Sequence, residues 1–324
     1  MLRNVILLLV TLCSLALLGC NGAGVMGREQ KLVIYAPVEP VLAQSLTEAF
    51  HQDYPEIKLQ LVQKQEQEEL ADIVFGEEEL LRLYKEEGKL QPLPGTRQER
   101  ASLWGDTQGY WQNFFYDPAV LLINQGYARQ VGQRHLRSWS DLERLPQGRI
   151  VLENLTNTDS TRSFLSSFAS RWGEQETMLT LTKIDKHVDQ YVQLPFTPVR
   201  MVAVGDADIA ITRGSNVVKY LESSFPAYVV VPVEGTPVNL YGLALLEQCR
   251  DVATAKILFK WLQQDAEQSM AAQEQDTGYL FLANLADHAV TPKQLWQNSE
   301  YLNLEQIQKL SEQWLQSVRF RARS

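Results

Sequence analysis

Short apolar runs alternate with helical patterns along the first third of the chain. Apolar runs at residues 32–35, 57–62 and 71–75 predict strands. Between and after them, apolar positions at helical spacing over residues 42–50 and 80–84 predict helices. The second helix is predicted to stop at Glu87-Gly88. Strands that alternate with helices in this way predict an α/β fold with a mainly parallel sheet.

The same alternation continues in the rest of the chain, after an irregular stretch at residues 91–118 that holds three prolines. A capping box from Ser140 to Glu143 predicts the start of one helix. Further strands are predicted at residues 119–123, 150–152, 208–212, 228–231 and 239–246. Further helices are predicted at residues 175–190, 198–204, 255–270 and 307–318.

Residues 149–172 combine a buried strand, a small polar loop and an amphipathic helix. The first amides of a helix have no internal partners and carry the positive end of the helix dipole. Small hydroxylated residues leave such amides open to an anion, and an arginine adds a fixed positive charge. An ordinary capped helix is the alternative interpretation. The candidate anion-binding residues here are Thr158, Asp159, Ser160, Thr161 and Arg162.

Composition and charge exclude several function classes. The chain has 324 residues, of which 45% are hydrophobic and 21% charged, so a large core in about two domains is expected. A net charge of -9 argues against a nucleic-acid partner. The four histidines are scattered, so neither a metal centre nor any other cofactor is predicted. The sequence has no nucleophile elbow, P-loop or dinucleotide fingerprint, which makes a hydrolase the weakest alternative.

The amino terminus predicts export. Arg3 precedes an apolar run over residues 5–18 that is too short to span a membrane and reads as a signal peptide. The run ends Leu17-Leu18-Gly19-Cys20, which resembles a lipobox, so residues 1–19 are predicted to be removed and Cys20 lipidated. An ordinary secretory cleavage is the alternative. Residues 20–30 are predicted to be a tether. Because Cys13 is predicted to be removed and Cys20 to carry lipid, Cys249 is expected to be the free thiol.

Four blocks in order resemble the ferric-iron-binding branch of the type 2 periplasmic binding proteins, which are the solute-binding subunits of ABC importers. They are residues 71–92 (Ala-Asp-Ile-Val-Phe, a helix, then Glu-Gly-Lys-Leu-Gln-Pro), residues 138–150 (Ser-Trp-Ser-Asp-Leu, then Gly-Arg-Ile), the polar helix start at residues 157–162, and the strands at 205–210 and 239–246. The resemblance covers roughly residues 31–285.

This resemblance implies two α/β lobes with a ligand cleft between them, closing by hinge motion. The first lobe is expected to comprise residues 31–117 and 231–290, and the second residues 118–230. A C-terminal helical segment, residues 291–324, is expected to pack on the lobes. The implied partners are a small-molecule or ion ligand and an ABC permease with its ATPase. The protein itself is expected to be a monomer anchored at the cell envelope through Cys20.

The residues in the implied cleft favour a small anionic or zwitterionic solute, such as a phosphonate or phosphate ester. Arginine suits the bidentate grip of such anions. The iron-binding members place adjacent tyrosines where this chain has Ser215 and Asn216, and a histidine where it has Glu39. Ferric binding and a ligand sensor for a signalling partner are the alternatives. With the anion-binding residues above, the predicted ligand contacts are Tyr35, Glu39, Glu77, Arg213, Ser215, Asn216 and Asn239. The alternative roles are a core aromatic for Tyr35, a solvated helix start for Glu77 and a surface salt bridge for Arg213.

Overall fold

The computed structural model describes residues 30–93, 105–131, 136–156, 159–221, 224–282, 292–296 and 304–320, without the side chains of 159–162, 292 and 304. Its strands are β1 (Gln30–Tyr35), β2 (Ile57–Val62), β3 (Ile73–Glu77), β4 (Leu90–Gln91), β5 (Trp111–Asn124), β6 (Ile150–Glu153), β7 (Val188–Val192), β8 (Ile209–Arg213), β9 (Ala227–Val230), β10 (Thr236–Leu246), β11 (Leu280–Phe281) and β12 (Leu295–Trp296).

The helices lie on both sides of these strands. They are α1 (Pro40–Asp53), α2 (Glu78–Glu86), α3 (Gln125–Val131), α4 (Trp139–Leu142), α5 (Asp159–Trp172), α6 (Glu174–Asp185), α7 (Phe196–Val204), α8 (Gly214–Tyr220), α9 (Val252–Gln264), α10 (Glu267–Thr277) and α11 (Leu304–Trp314). Shorter 3-10 segments span Gln65–Leu70 and Pro292–Gln294, and a π turn, Leu315–Arg319, continues α11.

One hydrogen-bonded path of strands runs through both lobes in the order β2-β1-β3-β10-β5-β8-β6-β7. The outer strands of each lobe are parallel, since β1 pairs in parallel with β2 and β3, and β6 with β7 and β8. The two central strands run antiparallel to their neighbours, because they carry the chain between the lobes. The predicted two-lobe α/β fold is therefore confirmed.

The strand β5 changes partners where it passes from one lobe to the other. It pairs with β10 as far as Pro118 and with β8 from Ala119 onward. A proline has no backbone N–H to donate to a ladder, so it fits the point where one ladder ends and the next begins. The site described below lies at this change of partners.

Each lobe has its own hydrophobic core. In the first lobe, Phe50 and Trp261 from α1 and α9 pack edge to face with ring centroids 5.1 Å apart. In the second lobe, Trp139 packs on Phe168 at 5.0 Å. The C-terminal helix α11 joins this second core through Trp314, which is fully buried. The two lobes thus have separate packed cores on either side of the strands that connect them.

Several predicted element boundaries are wrong. The region expected to be irregular already contains the first half of β5, because Trp111 is buried in the first lobe. The predicted helix over 255–270 is two helices, and the break after Gln264 lets α10 turn and pack on α1. The predicted helix over 175–190 ends at Asp185, because β7 then pairs with β6.

The predicted capping box is also displaced by two residues. Ser138 is the N-cap of α4: its Oγ accepts a hydrogen bond from the backbone N–H of Asp141 at 3.1 Å. The carboxylate of Asp141 accepts in return from the backbone N–H of Ser138 at 2.9 Å. Starting the helix here buries the Trp139 side chain, which the predicted Ser140 start would have left outside it.

Candidate functional site

Two polar side chains face each other across the strands that connect the lobes. Asp117 in β5 and Asn239 in β10 are directly opposite in the antiparallel register, and both are buried. A carboxylate and an amide at this depth need internal partners, because burial without hydrogen bonds is unfavourable. Those partners come from the second lobe.

Asp117 is held by the first turn of α8. Its Oδ1 accepts from the backbone N–H of Ser215 at 3.0 Å, and its Oδ2 accepts from the Ser215 hydroxyl at 2.6 Å. Burial raises the pKa of the Asp117 carboxyl, while the nearby Arg213 charge and the bonds from Ser215 act in the opposite direction. The carboxylate is therefore fixed in one orientation between the lobes.

Arg213 ends β8 beside this carboxylate. Its Nη1 lies 3.4 Å from the backbone oxygen of Asp117, and its charge is the largest influence that lowers the pKa of the Asp117 carboxyl. Sequence reasoning predicted Arg213 as a ligand contact and gave no role to Asp117. The structure places the guanidinium against the main chain of Asp117, and its charge acts on the Asp117 carboxyl.

Ser215 and Asn216, the residues at the predicted tyrosine positions, are both buried and bonded within the protein. Ser215 bonds to Asp117, and the Asn216 Nδ2 lies 3.4 Å from the hydroxyl of Thr212. The structure brings Ser215 into the same group as Arg213. It turns Asn216 toward Thr212 in the preceding strand, β8.

Glu39 and Lys219 join the two lobes across the cleft. Glu39 precedes α1 in the first lobe, and its carboxylate forms an ion pair with the Lys219 ammonium in α8. The Lys219 Nζ also lies 5.4 Å from the centre of the Tyr279 ring. A predicted ligand carboxylate is thus engaged with a lysine that sequence reasoning missed.

Glu77 ends β3 directly opposite Tyr241 of β10. Its side chain is half-buried, and its charge raises the pKa of the Tyr241 phenol, after the larger effect of burial. The predicted position of Glu77, at the carboxyl end of a first-lobe strand, is the one the structure shows.

Two tyrosines that sequence reasoning missed complete the floor of the cleft. Tyr241 and Tyr279 pack edge to face with ring centroids 5.3 Å apart. Ser215 lowers the pKa of the Tyr279 phenol, against the larger effects of burial and nearby charges. Burial, and then the charge of Asp117, raises the pKa of Tyr279 above its usual range. The alternating pattern of β10 contained a weak signal for Tyr241, whereas Tyr279 lies outside every motif.

Tyr35 is not brought together with these residues. It is buried in a separate first-lobe cluster with Tyr84 and Trp111. Burial is the main cause that raises the pKa of its phenol, followed by the charges of Glu68 and Glu66. The alternative role as a core aromatic fits this position.

Most of the predicted anion-binding side chains lie outside the described residues. Thr158 and Cys20 fall outside the described residues, and so do the side chains of Asp159, Ser160, Thr161 and Arg162. The backbone of α5 nevertheless begins at Asp159, and the Ser163 hydroxyl lies 3.1 Å from Asn239 Oδ1. The first turn of α5 therefore lies beside the strands that connect the lobes.

Among the described residues, no cluster of three or more histidine, cysteine, aspartate or glutamate side chains has a geometry that would hold a metal ion. Within the same ranges, no helix has the length and apolarity needed to cross a membrane. For an anion, the cleft has the backbone amides that begin α5 and the Asn239 side chain. For a cation, it has the carboxylates of Glu39 and Glu77.

Comparisons with known proteins agree with this architecture. Residues 68–303 match the model for bacterial extracellular solute-binding proteins. An uncharacterized protein of Haemophilus influenzae is 24% identical over 328 residues, covering 93% of this chain and 94% of that protein. The structure of the periplasmic binding protein AfuA from Actinobacillus pleuropneumoniae, with exogenous fructose-6-phosphate bound, is 18% identical with a TM-score of 0.66, covering 90% of this chain and 100% of that one. Ferric iron-binding protein A of Mannheimia haemolytica, in an open conformation, is 15% identical with a TM-score of 0.65, covering 90% and 98%.

Proposed function

The chain belongs to the family of bacterial extracellular solute-binding proteins, and we propose that it captures a small anionic or zwitterionic solute between its lobes and delivers it to an ABC permease. The ligand class is a phosphonate, a phosphate ester or a similar compound. We also propose that the protein binds without catalysis, works as a monomer and is anchored to the cell envelope through lipid on Cys20.

The position of α5 is the observation that carries the proposed ligand class. The helix has 14 residues, and the first amides of a helix have no partners within it and lie at the positive end of its dipole. The Ser163–Asn239 contact places this end of the helix at the strands between the lobes. An anion bound there touches both lobes, which is what closure requires. The related AfuA structure is described with fructose-6-phosphate, a phosphate ester.

Freshly purified protein tests the proposal directly. Native mass spectrometry identifies any retained solute, and calorimetry measures binding of inorganic phosphate, 2-aminoethylphosphonate, fructose 6-phosphate and thiamine. We expect one of the first three to bind and thiamine, a cation, to bind poorly. Tight binding of thiamine alone would contradict the proposed ligand class.

Asn239→Asp adds a negative charge where the anion is proposed to lie. A hydrogen bond to a charged partner contributes roughly 1.5–3 kcal/mol, so the affinity for the anion is expected to fall about ten- to a hundredfold. Asn124→Asp is the matched control, because it makes the same change at the other end of β5, about 23 Å along the strand from Asp117. Asn124 Oδ1 accepts a hydrogen bond from the backbone N–H of Gly126 at 2.8 Å, and aspartate can accept it too. Its Nδ2 donates to the backbone oxygen of Val202 at 3.1 Å, which aspartate cannot do, so thermal melting must first show that this variant is folded. Equal losses in both variants would contradict the proposed position.

Ferric binding is the second candidate, and one observation favours it. Tyr241 and Tyr279 provide two phenols beside the carboxylates of Glu39 and Glu77. Burial raises the pKa of both phenols, which opposes the phenolate form that ferric iron needs. We therefore expect no visible charge-transfer band on addition of ferric citrate. A strong band that is lost in Tyr241→Phe and Tyr279→Phe would establish iron binding instead.

A ligand sensor would use the same cleft. Transport predicts that the loaded protein stimulates the ATPase activity of a reconstituted ABC transporter. Ligand binding without such stimulation would favour a signalling partner.

A further inference from the structure

We propose that Asp117 determines which ligand charges the cleft accepts, because its buried carboxylate opposes the positive charge of Arg213, whose guanidinium contacts the Asp117 backbone. This inference rests on the proposed anion binding and adds a discrimination to it: a zwitterion is preferred over an anion without a positive group. Asp117 is not among the ligand contacts predicted from the sequence.

The Asp117 carboxylate is held in one position by hydrogen bonds. Asp117 is 2% exposed, and both of its carboxylate oxygens accept hydrogen bonds from Ser215. These bonds fix the carboxylate on the side of β5 where β8 ends. Moving the carboxylate would break these bonds and leave a buried charge without partners, which is strongly unfavourable.

Arg213 is consequently a partly neutralised cation. Its Nη1 is oriented toward the backbone oxygen of Asp117, and its charge acts on the Asp117 carboxyl. An anion that approaches the guanidinium is attracted by Arg213 and repelled by Asp117. Arg213 therefore contributes less to anion binding than an unopposed arginine would.

Further negative charge lies on the first-lobe side of the same floor. The pKa of the Tyr241 phenol is raised, after burial, by Glu77 and also by Asp117, so both carboxylates act on this tyrosine. An ammonium group on the ligand would be attracted by these carboxylates, while the anionic group of the ligand binds at the first turn of α5 beside Asn239. Repulsion of the wrong ligand is a common source of specificity.

The test compares 2-aminoethylphosphonate with inorganic phosphate by calorimetry in the wild type and in Asp117→Asn. Asparagine keeps an oxygen that can accept from Ser215 and removes the charge. We expect the affinity for inorganic phosphate to rise at least tenfold relative to that for 2-aminoethylphosphonate. The double variant with Arg213→Gln should lose this gain, because the gain depends on the Arg213 charge.

Asp53→Asn is the matched control. The Asp53 carboxylate accepts a hydrogen bond from Trp261 Nε1 at 2.7 Å, and it ends α1 about 20 Å from the Glu39 end of that helix. The same change of charge there should leave both affinities unaltered. Asp117→Ser, which keeps a smaller acceptor, replaces Asp117→Asn if thermal melting shows that the latter is not folded.

If neither neutral variant folds, Arg213→Gln in the otherwise wild-type protein decides. Its loss of phosphate affinity should be less than about fivefold, and a larger loss would overturn the inference. An unchanged ratio of affinities in a folded neutral variant overturns it as well, while leaving the proposed anion binding intact. Phosphate binding that is present only in the neutral variant supports the inference but contradicts anion capture by the wild type. No anion binding in any variant overturns both.

Discussion

The ion pair between Glu39 and Lys219 is expected to hold the lobes together before any ligand binds. The lysine lies on α8 of the second lobe with 13% of its side chain exposed, and the glutamate precedes α1 of the first lobe with 46% exposed. Because nearly half of the glutamate side chain is exposed, solvent screening limits the contribution of the ion pair to about 1 kcal/mol. Since 1.4 kcal/mol is a factor of ten, Lys219→Met should lower the ratio of closed to open protein about fivefold.

Double electron–electron resonance between spin labels on the exposed positions Glu48 and Arg200 measures this ratio, because the labels lie on different lobes. The wild type should open as salt is raised from about 0.05 to 0.5 M, since salt screens exposed charges. Lys219→Met should be open at both concentrations.

Lys183→Met provides the control, because the Lys183–Glu143 pair at 2.9 Å lies wholly within the second lobe. The charge-reversed variant, Glu39→Lys with Lys219→Glu, should restore the wild-type distribution. Identical distance distributions in the wild type and in Lys219→Met at low salt would refute the reasoning.

Three other predictions concern separate parts of the chain. Cys20→Ala should release the protein from the membrane fraction or leave the precursor unprocessed, as seen by fractionation and immunoblotting; unchanged attachment with normal processing would contradict lipidation. Gly278→Ala should lower the melting temperature, because φ there is 71° and an added Cβ would lie 2.7 Å from the Ser215 Cα; Gly88→Ala, with the same φ and nothing within 4 Å, is the control for backbone strain alone. Burial raises the pKa of the Cys249 thiol from 9.0 to about 11, so its stabilising effect is complete below pH 9 and is lost as pH rises toward 11. Alkylation by iodoacetamide should therefore become rapid at a higher pH in the native protein than in urea, and equal pH profiles would contradict this.

The sequence was sufficient for the fold because hydrophobic periodicity is a local property. The apolar runs in the sequence predict β1, β3 and β10, and the glycine at position 88 predicts the end of α2. Boundaries were lost where tertiary packing decided them, as at the break between α9 and α10.

The contacts of the site were not predictable in the same way. Glu39, Glu77 and Arg213 were selected because they end or follow strands, and the structure does place them around the cleft. Their partners come from distant parts of the chain: Asp117 and Ser215 are separated by 98 positions, and Glu39 and Lys219 by 180. A single sequence contains no signal for pairs of this kind, so the charge that opposes Arg213 was invisible before the structure.

The strand order also determines the order in which the protein can fold. The edge of β3 that β10 covers is occupied by residues 241–245, which leave the ribosome and the export machinery long after β3 itself. Until then the first-lobe sheet has an open edge of backbone hydrogen-bonding groups. The strands β5 to β9 of the second lobe are contiguous in the chain and pair with one another without β10. The sheet of the second lobe can thus pair before the first lobe has its fourth strand, whereas the second core is completed by Trp314 only after α11 has been synthesised. Contacts of such long sequence separation are expected to form slowly.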